Sequence, residues 1–187
     1  MAIMSDVWDI PQQEITSSDT SINSRSPAAT FNSRYFDAIP GSVNADIGGG
    51  KYDNATLLLS KKGVRNVIID PFNRSREHNC KAILEVRDGQ ADSATVNNVL
   101  NVIADRRNRR NVIAQSANAI KSSGKAFFLI YEGDKSGVGK KTKTDSWQEN
   151  RKTNSFIPEI LEFFSIADRH GNLIVAKNPI STKADCQ

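Results

Sequence analysis

The stretch NADIGGGKYDN, residues 44–54, sets Asp46 and then Gly48, Gly49 and Gly50 directly behind a short apolar run. A glycine turn between a strand and a helix lets the backbone approach a ligand closely, and the free N–H groups of the helix start favour an anionic group there. Spacing rules against a P-loop, and charge disfavours a dinucleotide fingerprint. A P-loop requires G-x-x-x-x-G-K-[ST], yet Lys51 is followed by Tyr52, and the second near match, Gly139-Lys140, is followed by Lys141. A dinucleotide fingerprint accepts Gly48 and Gly50, but its third small position is Asp53, whose carboxylate would oppose a pyrophosphate.

Asp46 and Asp53 together flank the turn with negative charge and suit a ligand that carries positive charge of its own. S-adenosylmethionine meets that description: it has an ammonium and a sulfonium, one carboxylate for the helix N–H groups, and a ribose that needs an acid. Asp70 lies about 20 residues beyond the glycines, the spacing at which a carboxylate accepts both ribose hydroxyls.

A second group of chemical residues lies in the segment from Glu132 to Lys152, EGDKSGVGKKTKTDSWQENRK. It carries Lys135, Lys140, Lys141, Lys143, Arg151 and Lys152, with Trp147 among them and glycines at 133, 137 and 139. More than about 20 residues without secondary structure read as a functional lid, here one that closes over an anionic substrate such as a phosphodiester. Glu132, Lys140, Lys141, Trp147 and Arg151 are the candidate substrate residues. Glu132 or Asp134 would act as a base if the acceptor is protonated. The cluster Arg106, Arg107, Arg109 and Arg110 reads as an exposed face.

No metal site is expected. Cys80 and Cys186 form no C-x-x-C pair, and His78 has only His170 as a histidine companion, whereas zinc takes three or four protein ligands. Both thiols are expected to be free.

The elements that must position these residues follow from patterning. The chain has 187 residues, 38% hydrophobic and 25% charged, with a net charge of +4, a composition suited to one soluble domain. A mild basic excess permits a nucleic-acid partner without demanding one. No apolar run approaches the roughly 20 residues of a membrane span, and MAIMSDVWDI lacks the pattern of a signal peptide, so a cytoplasmic location is expected.

Residues 1–30 are polar, with Trp8, Ile10, Ile15 and Ile22 as the large apolar exceptions, and read as an irregular arm on the substrate side. Residues 31–187 read as a single domain. From Val43 onward β-branched runs alternate with helical segments, which argues for a parallel sheet. Strands are expected at Val43–Ile47, Asn66–Asp70, Ala82–Val86, Ser93–Asn98 and Ala126–Tyr131. A helix with Tyr52, Ala55, Leu58 and Leu59 on one face ends at Gly63, and another, capped by Asp105, buries Val112, Ile113, Ala117 and Ile120 before Gly124. A short helix with Ile157, Ile160, Leu161 and Phe164 precedes a hairpin of Ser165–Asp168 and Asn172–Lys177.

With these residues in place, the chain resembles the class I S-adenosylmethionine-dependent methyltransferases from Val43 to Lys177. NADIGGGKY is similar to that family's first motif, VIIDPFN to its second acidic position, DSATVNNVLNVI to the fourth strand and its turn, and ANAIKSSGKAFFLIYEG to the following helix and strand. VLNVI and DPFNR also resemble small phage-borne and DNA-modification-associated methyltransferases. The resemblance implies a Rossmann-like α/β sandwich whose mostly parallel sheet ends in a C-terminal antiparallel hairpin strand. It implies that Asp46 and the backbone of Gly48, Gly49 and Gly50 contact the methionine moiety, that Asp70 holds the ribose, and that Asn97 and Asn98 stand beside the methyl group. The chain departs from the family in lacking a clear adenine-contact motif near Asp88 and an N/D-P-P-Y/F segment after the fourth strand, which puts that route of base methylation in doubt.

The expected function is methyl transfer from S-adenosylmethionine to an acceptor left open among DNA, RNA, protein and small molecules, with oligomeric state also open. Two alternatives stand beside it: a non-catalytic binding protein for nucleic acid or a protein partner, and an enzyme that degrades S-adenosylmethionine.

Overall fold

A computed structural model describes residues 7–9, 13–17 and 26–180. Ile10, Ile22 and Cys186 lie outside the described residues. In chain order the first half comprises β1 (Val43–Ile47), α1 (Asn54–Lys61), β2 (Arg65–Ile69), α2 (Arg76–Val86) and β3 (Ala91–Asn97). The second half comprises α3 (Arg106–Ala119), β4 (Ile120–Leu129), β5 (Lys140–Lys143), β6 (Ser146–Gln148), α4 (Ile157–Ile160), β7 (Phe164–His170) and β8 (Leu173–Pro179).

Six strands form one sheet in the order β2-β1-β3-β4-β8-β7. β1 to β4 are mutually parallel, while β8 runs antiparallel to β4 and β7 antiparallel to β8. Central parallel strands are covered on both faces, as the burial of Ala126, Phe127 and Phe128 illustrates. One face packs Ala45, Val67, Val96 and Phe128 against Ala82 and Val86 of α2, Ile113 and Ala117 of α3, and Trp8 of the arm. The other packs Phe127, Leu173 and Val175 against Phe31, Phe36 and Leu59. Because the chain runs outward from β1 to β2 and then returns across β1 to β3, the sheet reverses direction between β1 and β3. The crevice at the carboxyl ends of those two strands is where open α/β sheets bind ligands.

The local stops are readable. Gly63 adopts φ +74 and donates its N–H to Ser60, ending α1. Asp105 Oδ1 accepts from Arg107 N at 2.8 Å, the cap expected for α3.

Three expectations are corrected. Ala82–Val86 is the last part of α2 and not a strand: Ser75 caps the helix by accepting from His78 N, and Asn79, Ala82 and Val86 are buried while Leu84 is 70% exposed, a helical and not an alternating pattern. β2 is consequently an edge strand, and α2 covers part of that edge: His78 Nε2 meets Ile68 O at 2.9 Å, and Asn79 bonds both the N–H and the C=O of Asp70. Second, α3 stops at Ala119, so Ile120 and Gly124 belong to β4 and Phe164 to β7. Third, the Glu132–Lys152 segment is built and not structureless. It holds the antiparallel ribbon β5–β6, followed by a 3-10 turn at Thr153–Phe156.

Among the described residues, no helix is long and apolar enough to cross a membrane, and no group of three or more His, Cys, Asp and Glu converges. Cys80 is free and exposed.

Candidate functional site

A cavity of about 640 Å³ opens at the crevice. Its inner wall is the turn after β1, the turn after β2 and the end of β3. Gly48 has φ +73, and a Cβ there would lie 2.4 Å from Val99 Cγ2. A Cβ on Gly49 would lie 2.8 Å from Asp46 Oδ2. Glycine is therefore required twice over, first for backbone conformation and then for space against the acid of the same motif.

Asp46 is buried at the end of β1. Thr95 Oγ1 donates to Asp46 Oδ1 at 2.8 Å and Asn66 Nδ2 donates to Asp46 Oδ2 at 3.3 Å. Burial pushes its pKa up, a direction that nearby Asp70 reinforces and these bonds oppose. Asp70 is also buried and receives Gly50 N at 2.8 Å, which ties the glycine turn to the end of β2. Its Oδ1 also accepts from Phe72 N and Asn73 N, and both oxygens accept from Asn73 Nδ2, at 3.0 to 3.2 Å. The Asn73 amide thus occupies the two oxygens that a diol would need.

Asp46, Gly48, Gly49, Gly50, Asp70, Asn97 and Asn98 all line the one cavity. Asn97 Oδ1 accepts from Thr30 Oγ1 at 2.6 Å, and Asn98 adopts φ +57 at the turn. Asp53 does not act as a second free carboxylate. Arg74 pairs with it at 2.8 Å while donating Nε to Gly50 O at 2.8 Å, so the turn carries a guanidinium that local spacing did not reveal.

The outer wall comes from the arm, α3 and the segment after β4. Of the candidate substrate residues, Lys140 and Trp147 line the cavity, whereas Lys141 lies exposed on β5 outside that lining. Glu132 and Arg151 do not line it, and each is committed elsewhere. Glu132 Oε1 accepts from Thr153 N at 2.7 Å and Thr153 Oγ1 at 2.8 Å, and with Lys135 these bonds hold its pKa down to about 2. A carboxylate so engaged is a cap for the 3-10 turn and a poor base. Arg151 donates to Ser155 O and to Glu159 and lies over the Phe156 ring. Asp134 lines the cavity, but Lys140, at 2.8 Å, and Ser136 keep its pKa low.

Sequence reading also missed the hub behind the ribbon. Arg109 is 4% exposed; it pairs with Glu149 at 2.6 Å and Glu159 at 2.9 Å and donates to Ile103 O and Ala104 O. The arm is fastened by similar long-range bonds. Thr16 binds Asp145, Ser17 Oγ donates to Val102 O at 2.9 Å and accepts from Trp147 N at 3.1 Å, and Trp8 Nε1 donates to Asn118 at 2.8 Å.

No protein-family model and no curated protein sequence matches the chain. Solved structures do. A methyltransferase of Methanosarcina mazei, described as S-adenosylmethionine-dependent, superposes with TM-score 0.56 at 13% identity, over 78% of this chain and 96% of that one. The 1,6-didemethyltoxoflavin-N1-methyltransferase of Burkholderia thailandensis, solved with S-adenosylhomocysteine, gives TM-score 0.54 at 14% identity over 75% and 72%. An O-methyltransferase family protein of the same organism gives 0.50 at 14%, over 87% of this chain and only 55% of its own length. The fold is therefore the Rossmann-like α/β sandwich that these methyltransferases share, a mostly parallel sheet closed by an antiparallel hairpin.

Proposed function

We propose that this protein is an S-adenosylmethionine-dependent methyltransferase, with residues 31–187 as the cofactor-binding domain and the arm of residues 1–30 as a cover on the acceptor side. The observation that carries this reading is the bond from Gly50 N to Asp70 Oδ2, which sets a ligand-approachable glycine turn and a ribose-binding acid on one wall of the crevice. The residues fit the cofactor. Gly48 and Gly49 leave a bare backbone for the amino-acid half, Asp70 offers two oxygens to the ribose once Asn73 yields them, and Asp46 supports the turn from beneath.

The bound cofactor supplies a methyl group on a sulfonium that is already a good leaving group, so the protein's task is alignment and exclusion of water. Asn97 and Asn98, at the end of β3, line the same cavity as the glycine turn and are assigned to the place where an acceptor would meet the methyl group. Trp147 and Lys140 face the acceptor. Structural neighbours of this fold, one of them holding S-adenosylhomocysteine, support the same reading.

Calorimetric titration of the intact protein with S-adenosylmethionine is expected to give saturable binding, and Asp70→Ala to weaken it at least tenfold, the loss of one charge-assisted pair of bonds. Absence of heat with the intact protein would refute the reading.

A further inference from the structure

The chemistry of the outer chamber, bounded by the arm, α3 and residues 131–150, names a class of acceptor, an inference that rests on the cofactor reading above. Among the described residues lining that chamber, the charged ones are Asp134 and Lys140, and they neutralise each other at 2.8 Å. Lys141 and Lys143 stand exposed on β5 and do not line it. Among the described residues the chamber carries no uncompensated charge, and such a lining disfavours a bare carboxylate, phosphate or ammonium, because a desolvated ion needs a partner of opposite sign.

The polar groups on the α3 wall have a defined sense. Asn111 Nδ2 donates to Asp9 O at 3.1 Å and Gln115 Nε2 donates to Val7 O at 3.2 Å. A backbone carbonyl only accepts, so each amide must turn its N–H₂ toward the arm and is left with its oxygen as a neutral acceptor. The remaining surface mixes small polar, amide and aliphatic side chains with three rings: Trp147 and one edge of Trp8, 6% exposed, line the chamber, and Tyr131, two residues past β4, is 60% exposed and also lines it. Flat rings and neutral amide acceptors in one lining suit a flat ligand that bears N–H donors at its edge.

We propose that the methyl acceptor, or the part of it that enters the chamber, is an uncharged planar nitrogen heterocycle with ring N–H or amino donors. Its nitrogen lone pair forms the new N–C bond as the C–S bond breaks, the bonding pair stays on sulfur to give the thioether, and the displaced N–H proton passes to water. Two sources supply such a ring. One is a free base or nucleoside. The other is a base extruded from a nucleic-acid strand whose phosphates run along exposed Lys141 and Lys143.

The test is tritiated-methyl transfer from S-adenosylmethionine by the full chain to four sets of acceptors: nucleosides, single-stranded oligonucleotides, aliphatic amines and carboxylates, and peptides. A parallel titration follows quenching of Trp8 and Trp147, the chain's two tryptophans, by each nucleoside without cofactor. Label in nucleosides supports the free source. Label confined to oligonucleotides, reduced roughly tenfold by Lys141→Gln with Lys143→Gln, supports the extruded source. With the accepted ring, Tyr131→Ala is expected to raise KM about tenfold with kcat changed less than about threefold, and Tyr131→Phe to restore it, since stacking needs the ring and not the hydroxyl. Label only in amines, carboxylates or peptides overturns the proposal, as does cofactor binding with neither label nor quenching in the heterocycle arms. If S-adenosylmethionine itself fails to bind, the cofactor reading falls, while the quenching titration still decides what the chamber holds.

Discussion

Gly49 shows how closely the inner wall is built. Its backbone has an ordinary conformation, yet a methyl group there would fall 2.8 Å from Asp46 Oδ2 and 3.1 Å from Ile68 Cγ2. Gly49→Ala must therefore displace a buried carboxylate bonded to Thr95 and Asn66. A loss of about 1–3 kcal/mol in urea unfolding is expected, the usual range for overpacking a tight site. Cofactor affinity should fall with it, and an Ala variant as stable as the parent would show that the turn has slack. This turn and Asp70 were legible because their chemistry is local: an acid, three glycines and a second acid at the right separation. Arg74 was not, because its partners Gly50 and Asp53 lie more than a score of residues away and nothing in NRSRE distinguishes a capping guanidinium from a solvated one. The same ambiguity explains Glu132 and Arg151. A charged loop residue reads alike whether it faces a substrate or holds a turn, and only the bonds to Thr153 and Glu159 separate the two.

At the scale of elements, the parallel strands and α3 follow from hydrophobic pattern and caps, while Ala82–Val86 shows the pattern's limit. Five residues rich in apolar side chains satisfy either period, and the decisive fact, exposed Leu84 between buried Ala82 and Val86, is a tertiary one. The ribbon β5–β6 was hidden for another reason: its outer strand is wholly exposed, so no alternation marks it. What holds the ribbon is Glu149, just beyond β6, on Arg109 of α3. Arg109 also serves Glu159, on which Arg151 converges at 3.0 Å. Arg109→Met fills similar volume but leaves two buried carboxylates short of their cation, and removing one member of such a cluster costs about 3–5 kcal/mol. The variant should unfold at markedly lower urea concentration, and its Trp147 fluorescence should show the ribbon loosened before global unfolding. A midpoint equal to that of the parent would mean that the cluster stabilises nothing.

The molecule as a whole is a Rossmann-like sheet closed over by an added wall, and that wall comes from two separate stretches of sequence, the arm before β1 and the ribbon after β4. Nothing in residues 1–30 announces their partners, since the contacts of Thr16 and Ser17 are with residues 145, 147 and 102. The wall nevertheless has a titratable fastening. Thr16 hydroxyl and backbone N–H both donate to Asp145, and these bonds hold the Asp145 pKa below its ordinary value of 3.8. A depressed carboxylate contributes to arm docking fully above its unperturbed value and loses that contribution as pH falls through the depressed one. Hydrogen exchange at the Thr16 amide should therefore be several-fold more protected in the parent than in Asp145→Asn near pH 7, and the two should converge as pH is taken well below 3.8. Because Asp145 touches neither the glycine turn nor Asp70, S-adenosylmethionine affinity should be the same in both, while turnover of a large acceptor should differ. Equal Thr16 protection in parent and variant near pH 7 would show that Asp145 does not fasten the arm.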